Sequence, residues 1–365
     1  MTQNKKISVL IVDDSVTYRQ FLRDALSTDD RIDVVSIASN GLLALPRVRH
    51  YKPDFIILDH EMPELTGIET LKEIRQIHPS SKVIMFSSHT TEGARVTMQA
   101  LNNGAVAFVT KPNSSSESPV TYIERELLTL IIEIAAQEES KQEKSQLKEK
   151  VIQTVTKEKV AESARHTLPA SALPGHFDVA AIGISTGGPV ALRTLFKHLP
   201  LKLRGSLLIV QHMPPMFTKQ MADSLKSESG INTVEATNGM KIEPATAYIA
   251  PGGFHMAVTK RDDGNYIQVL DTEPVNSCKP SVDVLFESVA NVYNRKAVGI
   301  IMTGMGYDGY QGMIKMKAQQ SYLIGQNKES CLVFGMPLRP TEEGLIQESL
   351  SIEDIAQRIR YLLGE

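Results

Sequence analysis

Two doubly wound α/β domains, each with a parallel sheet between layers of helices, are the architecture this sequence predicts. Three observations carry the prediction. Short Val/Ile-rich runs alternate with amphipathic helical patterns through residues 1–138, and again through 177–365. That alternation produces parallel sheets covered on both faces. The apolar runs are near-continuous, as strands buried on both faces must be. The length of 365 residues allows two domains of ordinary size, each burying its own core.

The elements follow in order. In the first series, strands are expected at "ISVLIV", "IDVVSIA", "DFIILD", "KVIMFS" and "AVAFVT", with helices such as "TYRQFLRDAL" and "IETLKEIRQI" between them. "NSSSESP" is a turn-rich break, and "VTYIERELLTLIIEIAA" reads as the last amphipathic helix of this domain. The stretch 139–176 is rich in Lys, Glu and Gln and ends in "HTLPASALPGH". Mixed charge with few apolar positions predicts a connector, either a solvated helix or a flexible linker. The second series has strands at "DVAAIGI", "GSLLIVQ", "TAYIA", "KAVGIIMT" and "SYLIG", and helices at "PVALRTLFKHL", "PMFTKQMADSLKSE", "VDVLFESVANVY" and "IEDIAQRIRYLL". "HMAVTKRDDGNYIQVL" departs from the pattern. It is two strand-like runs around Asp263-Gly264, a β-hairpin inserted in an α/β unit. The first domain is therefore expected to be flavodoxin-like and the second Rossmann-like.

Composition excludes several functions. A net charge of -3 and an aromatic content of 5% without Trp offer neither a basic field nor stacking platforms for nucleic acid. "LLTLIIEIAA" is broken by Glu133 and too short to span a bilayer, so no membrane insertion is expected. The first residues read as a strand, not a signal peptide. Two separated cysteines, Cys278 and Cys331, make no disulfide framework. Both are expected to be small buried residues, with neither beside a base. A reducing, cytoplasmic setting is the expectation.

In the first domain, Asp13 and Asp14 follow the first strand, Asp59 the third, Ser87 the fourth and Lys111 the fifth. Carboxyl ends of parallel strands converge on one crevice in a doubly wound sheet. Converging carboxylates repel unless a cation neutralises them, and hard oxygen ligands suit Mg²⁺. A helix-capping role explains one such acid, Asp14 for instance, but not five polar residues at successive strand ends.

In the second domain, "IGISTGGP" fits the G-x-S-x-G turn that lifts a serine, here Ser185, above a sheet. The same residues also fit a phosphate loop or a plain strand-to-helix turn. A dinucleotide fingerprint and a Walker lysine are both missing. A nucleophilic serine needs a base and an orienting acid. His198 falls at a helix end. His212, after "LLIVQ", and Asp308, in "TGMGYDG", both follow strands, so Ser185–His212–Asp308 is one candidate triad. Ser185–Asp223–His255 is the other, weakened by the helical position of Asp223.

"VLIVDDS…LDHEMP…MFSS…FVTKP" resembles the receiver domain of two-component response regulators over residues 1–138. The resemblance implies that Asp59 accepts a phosphoryl group from a histidine kinase, the chemotaxis kinase CheA. It further implies that Asp13, Asp14 and Asp59 hold Mg²⁺, Ser87 and Lys111 contact the phosphoryl group, and Phe108 is the aromatic switch. His60 stands where a small apolar or acidic residue is common. "IGISTGGP…VQHMPPMFT…YIAPGGFHM…CKPSVDVLF…TGMGYDG…SCLVFGMP" resembles the catalytic domain of the CheB-type methylesterases over residues 177–365. That likeness implies Ser185 as nucleophile, His212 as base and Asp308 as orienter. It places Met305 at the oxyanion hole and Thr186 nearby, and requires no cofactor for ester hydrolysis. The implied substrates are glutamate methyl esters on chemotaxis receptors, with glutamine deamidation by the same chemistry. Tyr307, Tyr310, Phe254 and the segment after "GMP" depart from the family pattern. Two other classes are an inactive, phosphorylation-dependent binding protein and a DNA-binding regulator; the second lacks a basic reading helix.

Overall fold

The computed structural model describes residues 6–112, 117–154 and 176–364. It divides into two compact units, Met1–Ala136 and Gln137–Glu365. The break at "NSSS" and the end of the connector, including nearly all of "HTLPASALPGH", lie outside the described residues. The start of the connector is helical, because the helix Thr129–Thr154 carries on past the first unit.

In the first unit, β1 (Ile7–Val12), β2 (Ile32–Ala38), β3 (Phe55–Asp59), β4 (Lys82–Ser87) and β5 (Ala107–Thr110) form a parallel sheet in the order β2-β1-β3-β4-β5. That order is the flavodoxin-like one. Leu10, Ile11, Ile56, Ile57 and Leu58 are fully buried, which explains the unbroken aliphatic runs on the central strands. Helix starts are specified locally. Thr66 and Glu69 form a reciprocal capping box on the helix Gly67–Ile77. Ser15, not Asp14, caps the helix Val16–Leu26, so Asp14 is free to face the crevice.

The second unit contains β6 (Val179–Ile184), β7 (Ser206–Gln211), β8 (Asn232–Glu235), β9 (Thr246–Ile249), β10 (His255–Arg261), β11 (Gly264–Leu270), β12 (Ala297–Ile301), β13 (Tyr322–Gln326) and β14 (Glu348–Leu350). Seven of these form a parallel sheet, β14-β13-β12-β6-β7-β9-β8, while β10 and β11 pair as a separate hairpin. The hairpin pairs Arg261 with Gly264. Its turn is therefore Asp262-Asp263, one residue earlier than the Asp-Gly signal indicates. Strand order reverses between β12 and β6, the switch point at which open α/β sheets bind ligands. The edge strands β8 and β14 were not expected. "NTVE" and "ESL" are short and polar because an edge strand has one neighbour and little apolar cover.

Candidate active site and phosphoacceptor site

Register brings the second-unit residues together. Ile184 of β6 pairs with Gln211 of β7, so Ser185 and His212 occupy the next rung of adjacent strands. Ile301 of β12 pairs with Gly183, and the Ser185 N–H donates to the Thr303 carbonyl at 3.0 Å. The loop carrying Met305 and Asp308 rises from that strand, beside Ser185. The turn after Ser185 depends on two glycines. Gly187 has φ +76, a left-handed conformation that L side chains resist. A Cβ on Gly188 would lie 1.7 Å from Gln211 Oε1. Pro189 sits in the first turn of the helix Gly188–His198, where its missing N–H costs nothing.

His212 Nε2 donates to Asp308 Oδ2 at 2.9 Å. Asp308 is 2% exposed and saturated with donors. Its Oδ2 also accepts the Val282 N–H at 2.6 Å. Its Oδ1 accepts Asn276 Nδ2 at 2.9 Å, Ser281 Oγ at 2.8 Å and the Asp283 N–H at 3.3 Å. Val282 and Asp283 open the helix Val282–Tyr293, so a helix N-terminus holds this carboxylate. Burial alone would raise the Asp308 carboxyl. The hydrogen bond and charge of His212, with these donors, hold it below the usual value. Burial opposes protonation of His212, yet Asp308 and the Cys278 thiol push the imidazole up to about 9.

Cys278 corrects an expectation. It is half-exposed, and its Sγ lies 3.7 Å from His212 Nδ1. Its position was not readable because 66 residues separate it from His212, and a loop, not a strand, brings the two together. Cys331 is buried as expected, and burial pushes its thiol up to about 12. Ser185 is half-buried, and among the described residues its Oγ has no hydrogen bond. The relay is thus formed from His212 to Asp308, with the serine one rung away and not engaged; catalytic hydrogen bonds often tighten only around substrate. The Met305 N–H likewise has no acceptor among the described residues, and Thr186 lies half-buried in the same turn. The Asp223–His255 pairing does not form. His255 is fully buried, with Nε2 on the Glu273 carbonyl and Nδ1 accepting the Ser281 N–H. Asp223 is exposed beside Lys219, and His198 contacts its own helix through the Thr194 carbonyl. Exposed Met216, Phe254 and Tyr307 lie on the loops that follow these strands. Tyr310 is instead buried, its hydroxyl bonded to Glu343.

In the first unit, Asp13 and Asp59 are each 1% exposed. Lys111 Nζ lies 2.7 Å from Asp59 Oδ2 and 3.1 Å from Asp13 Oδ2. Asp13, Asp14 and Asp59 offer oxygens within 4.8 Å of one another. Burial first, then repulsion from Asp59, push the Asp13 carboxyl up to about 6 against the pull of Lys111. Burial would also raise Asp59, but His60 and Lys111 hold it below the usual value. His60 acts there by proximity, since its Nδ1 is 3.6 Å from Asp59, too far for a hydrogen bond. Asp13 Oδ2 is buried, with the Lys111 ammonium at 3.1 Å beside it. Two buried carboxylates and one exposed carboxylate, all hard oxygen donors within reach of one another, fit Mg²⁺. Ser87 is buried at the end of β4, its Oγ accepting Thr97 Oγ1 at 2.6 Å, and Phe108 is half-buried on β5.

Strand-end acids on one sheet and a switch-point serine cluster on the other define a class: a response-regulator receiver joined to an α/β hydrolase domain. Comparison with known proteins narrows it. Residues 9–119 match the response regulator receiver domain family, and 180–359 match the CheB methylesterase family. The chain is 38% identical over 364 residues to a protein-glutamate methylesterase/protein-glutamine glutaminase of Trichodesmium erythraeum, covering 98% of this chain and 99% of that one. It is 37% identical over 361 residues to the protein of that name from Thermotoga maritima, covering 99% of each. The crystal structure of the Thermotoga maritima CheB methylesterase catalytic domain aligns with a TM-score of 0.50 at 35% identity, over 51% of this chain and 99% of that one. This chain belongs to the family of protein-glutamate methylesterase/protein-glutamine glutaminases. Among the described residues, no helix is long and apolar enough to cross a membrane.

Proposed function

We propose that this chain removes methyl groups from glutamate esters, and amide nitrogen from glutamines, on the cytoplasmic parts of chemotaxis receptors, under control of phosphorylation at Asp59. The receiver runs over 1–138, a connector over 139–176 and the esterase over 177–365. The observation that carries the esterase chemistry is the His212–Asp308 hydrogen bond on the strand end next to Ser185.

Asp308 fixes the tautomer by accepting the Nε2 proton, which leaves Nδ1 as the base. Nδ1 takes the Ser185 hydroxyl proton as Oγ attacks the ester carbonyl. Negative charge on the carbonyl oxygen falls to the Met305 N–H, a donor worth about 3 kcal/mol in such sites, with Thr186 in the same turn. The imidazolium returns its proton to the departing methoxide, and methanol leaves an acyl-Ser185. Water activated by Nδ1 then releases the glutamate. With glutamine the leaving group is ammonia and the acyl intermediate is the same.

In the receiver, Asp59 is the phosphoacceptor and Asp13, Asp14 and Asp59 would hold Mg²⁺, which supplies charge neutralisation for the incoming phosphoryl group. Ser87 and Lys111 bind the phosphoryl oxygens, and Phe108 reports their arrangement to the surface. A chemotaxis histidine kinase of the CheA type is the donor, and the cytoplasm is where both partners meet. The experiment is methanol release from methylated receptor with and without a phosphodonor. Ser185→Ala should lose at least about 10³-fold in kcat while still incorporating phosphate. Turnover near wild type in that variant rules out the serine mechanism.

A further inference from the structure

The contact between Cys278 and His212 has no part in the ester chemistry derived above. Nδ1 is the nitrogen that must accept the serine proton, and the side chain in contact with it is a thiol at 3.7 Å. A tetrahedral Zn²⁺ bound through one thiolate and one imidazole, with Zn–S about 2.3 Å and Zn–N about 2.05 Å, holds those two atoms about 3.6 Å apart. The observed separation matches with almost no movement. His212, Cys278 and Asp308 present ligand atoms within 4.8 Å of one another.

The surroundings decide which of the three would bind metal. Both Asp308 oxygens are occupied by donors from Val282, Asn276, Ser281 and Asp283, besides His212. Asp308 therefore serves as the carboxylate behind the ring, holding the Nε2 proton so that the Nδ1 lone pair points outward. A carboxylate–histidine pair of this kind orients the imidazole for a metal and strengthens it as a ligand. The site is reachable, with His212 15% exposed and Cys278 half-exposed. Water can fill the remaining positions. The receiver acids differ in kind: three hard oxygens suit Mg²⁺, whereas nitrogen and sulfur select a softer ion.

We propose that His212 Nδ1 and Cys278 Sγ form a binding site for a thiophilic divalent cation of the Zn²⁺ type, which reversibly silences the esterase by occupying its base. Binding releases the thiol proton to solvent and leaves a thiolate–metal bond, with no change of oxidation state. Metal and substrate then compete for one nitrogen. The binding part stands on geometry alone, while the silencing part rests on the proposed role of His212 as base.

The test uses the full chain, metal-free, in excess Mg²⁺ to saturate the receiver acids. Co²⁺ is titrated as a coloured substitute for Zn²⁺. The expected result is a thiolate-to-cobalt charge-transfer absorption that saturates at one equivalent and is bleached by Zn²⁺. It should be lost in Cys278→Ser and in Cys278→Ala. Methanol release should fall to background with Zn²⁺ and recover with a chelator. In Cys278→Ser, half-inhibition should need at least about 10-fold more Zn²⁺, measured against that variant's own metal-free rate, since even a lost outer partner costs that much. Three results overturn the proposal: no thiolate–cobalt absorption at saturation, an absorption that survives both substitutions, or equal Zn²⁺ sensitivity in wild type and variant. If the metal-free chain has no esterase activity, the functional reading fails separately, and the cobalt spectrum still decides the site.

Discussion

His212 is where local chemistry has the sharpest consequence. Its imidazole is held up to about 9 by Asp308 and the Cys278 thiol, against the pull of burial. Only the neutral ring is a base, so kcat/KM should climb about tenfold per pH unit and level off near pH 9. Stability runs the opposite way. A histidine with a raised folded value stabilises the fold fully below its unfolded value of about 6.5. That contribution is lost as pH rises through about 9. Cys278→Ser removes one of the two groups that hold the proton, so its pH–rate midpoint should fall. An unchanged midpoint would mean that the thiol has no hold on the ring. Asp13 has the reverse sign. Burial and the charge of Asp59 hold its carboxyl up at about 6, above the ordinary aspartate value of about 3.9. The folded receiver therefore loses stability as pH rises from the unfolded value of about 4 through about 6, a penalty on the order of 1–3 kcal/mol that is fully present at pH 7. Mg²⁺ should relieve the penalty. Asp13→Asn should raise the receiver's thermal midpoint by several degrees at pH 7, abolish the rise caused by Mg²⁺, and reduce Asp59 phosphorylation. A variant less stable than wild type at pH 7, with Mg²⁺ still stabilising it, would contradict this account. Individual acids at strand ends were legible because their positions follow from the period of the sheet. The thiol was not, since its approach to His212 depends on how a loop returns.

At the level of elements, the two strand ends bearing Ser185 and His212 are joined by one side chain. Gln211 Nε2 donates to the Ser185 carbonyl at 2.9 Å and to the His212 carbonyl at 3.1 Å. Gly188 leaves room for that amide. A methyl group there would meet Gln211 Oε1 at 1.7 Å and drive the side chain away. Gly188→Ala should therefore misplace nucleophile against base. A displacement of about 1 Å costs on the order of 100-fold in rate, whereas the sheet core beneath is untouched and should keep its cooperative unfolding. Measured kcat close to wild type in that variant would mean that the amide bridge does not position the pair. The same elements mark what a sequence can and cannot reveal. β6, β7 and β12 announce themselves as aliphatic runs because helices cover both their faces. β8 and β14 carry almost no apolar signal, because they close the sheet at its edges. Strand ends offered Ser185, His212 and Asp308 as one of two candidate triads, and the family resemblance chose between them. The donors that saturate Asp308 were not legible, because "NSCKPSVD" reads as a loop running into a helix. Only the fold reveals that its backbone and side-chain donors converge on a carboxylate 25 to 32 residues away.

For the whole molecule, the question is why a phosphoacceptor and a hydrolase share one chain. In the proposed mechanism the ester reaction uses only groups of the second unit, and phosphoryl transfer uses only groups of the first. What joins them is a charged segment, helical through Thr154, that keeps each at high effective concentration near the other. Under the proposed function, phosphorylation of Asp59 would add charge at the strand ends where Ser87 lies, and such a change can bias a surface between two arrangements. Control by tenfold requires the two arrangements to differ by only about 1.4 kcal/mol in affinity for the esterase. Interdomain surfaces of ordinary polar character provide that much. The direction we expect is inhibition, relieved by phosphorylation. A fragment beginning at Phe177 should hydrolyse methylated receptor at the phosphorylated rate without any phosphodonor. Such a fragment is a reasonable folding unit, since the Thermotoga maritima catalytic domain that aligns with this half was crystallised by itself. The full chain should be about tenfold slower until phosphorylated, and Asp59→Ala should stay slow. The rates of the three proteins on one receptor preparation decide it. If the fragment is no faster than the unphosphorylated chain, the receiver does not restrain the esterase. Its contribution must then be positive, such as delivering the hydrolase to its substrate.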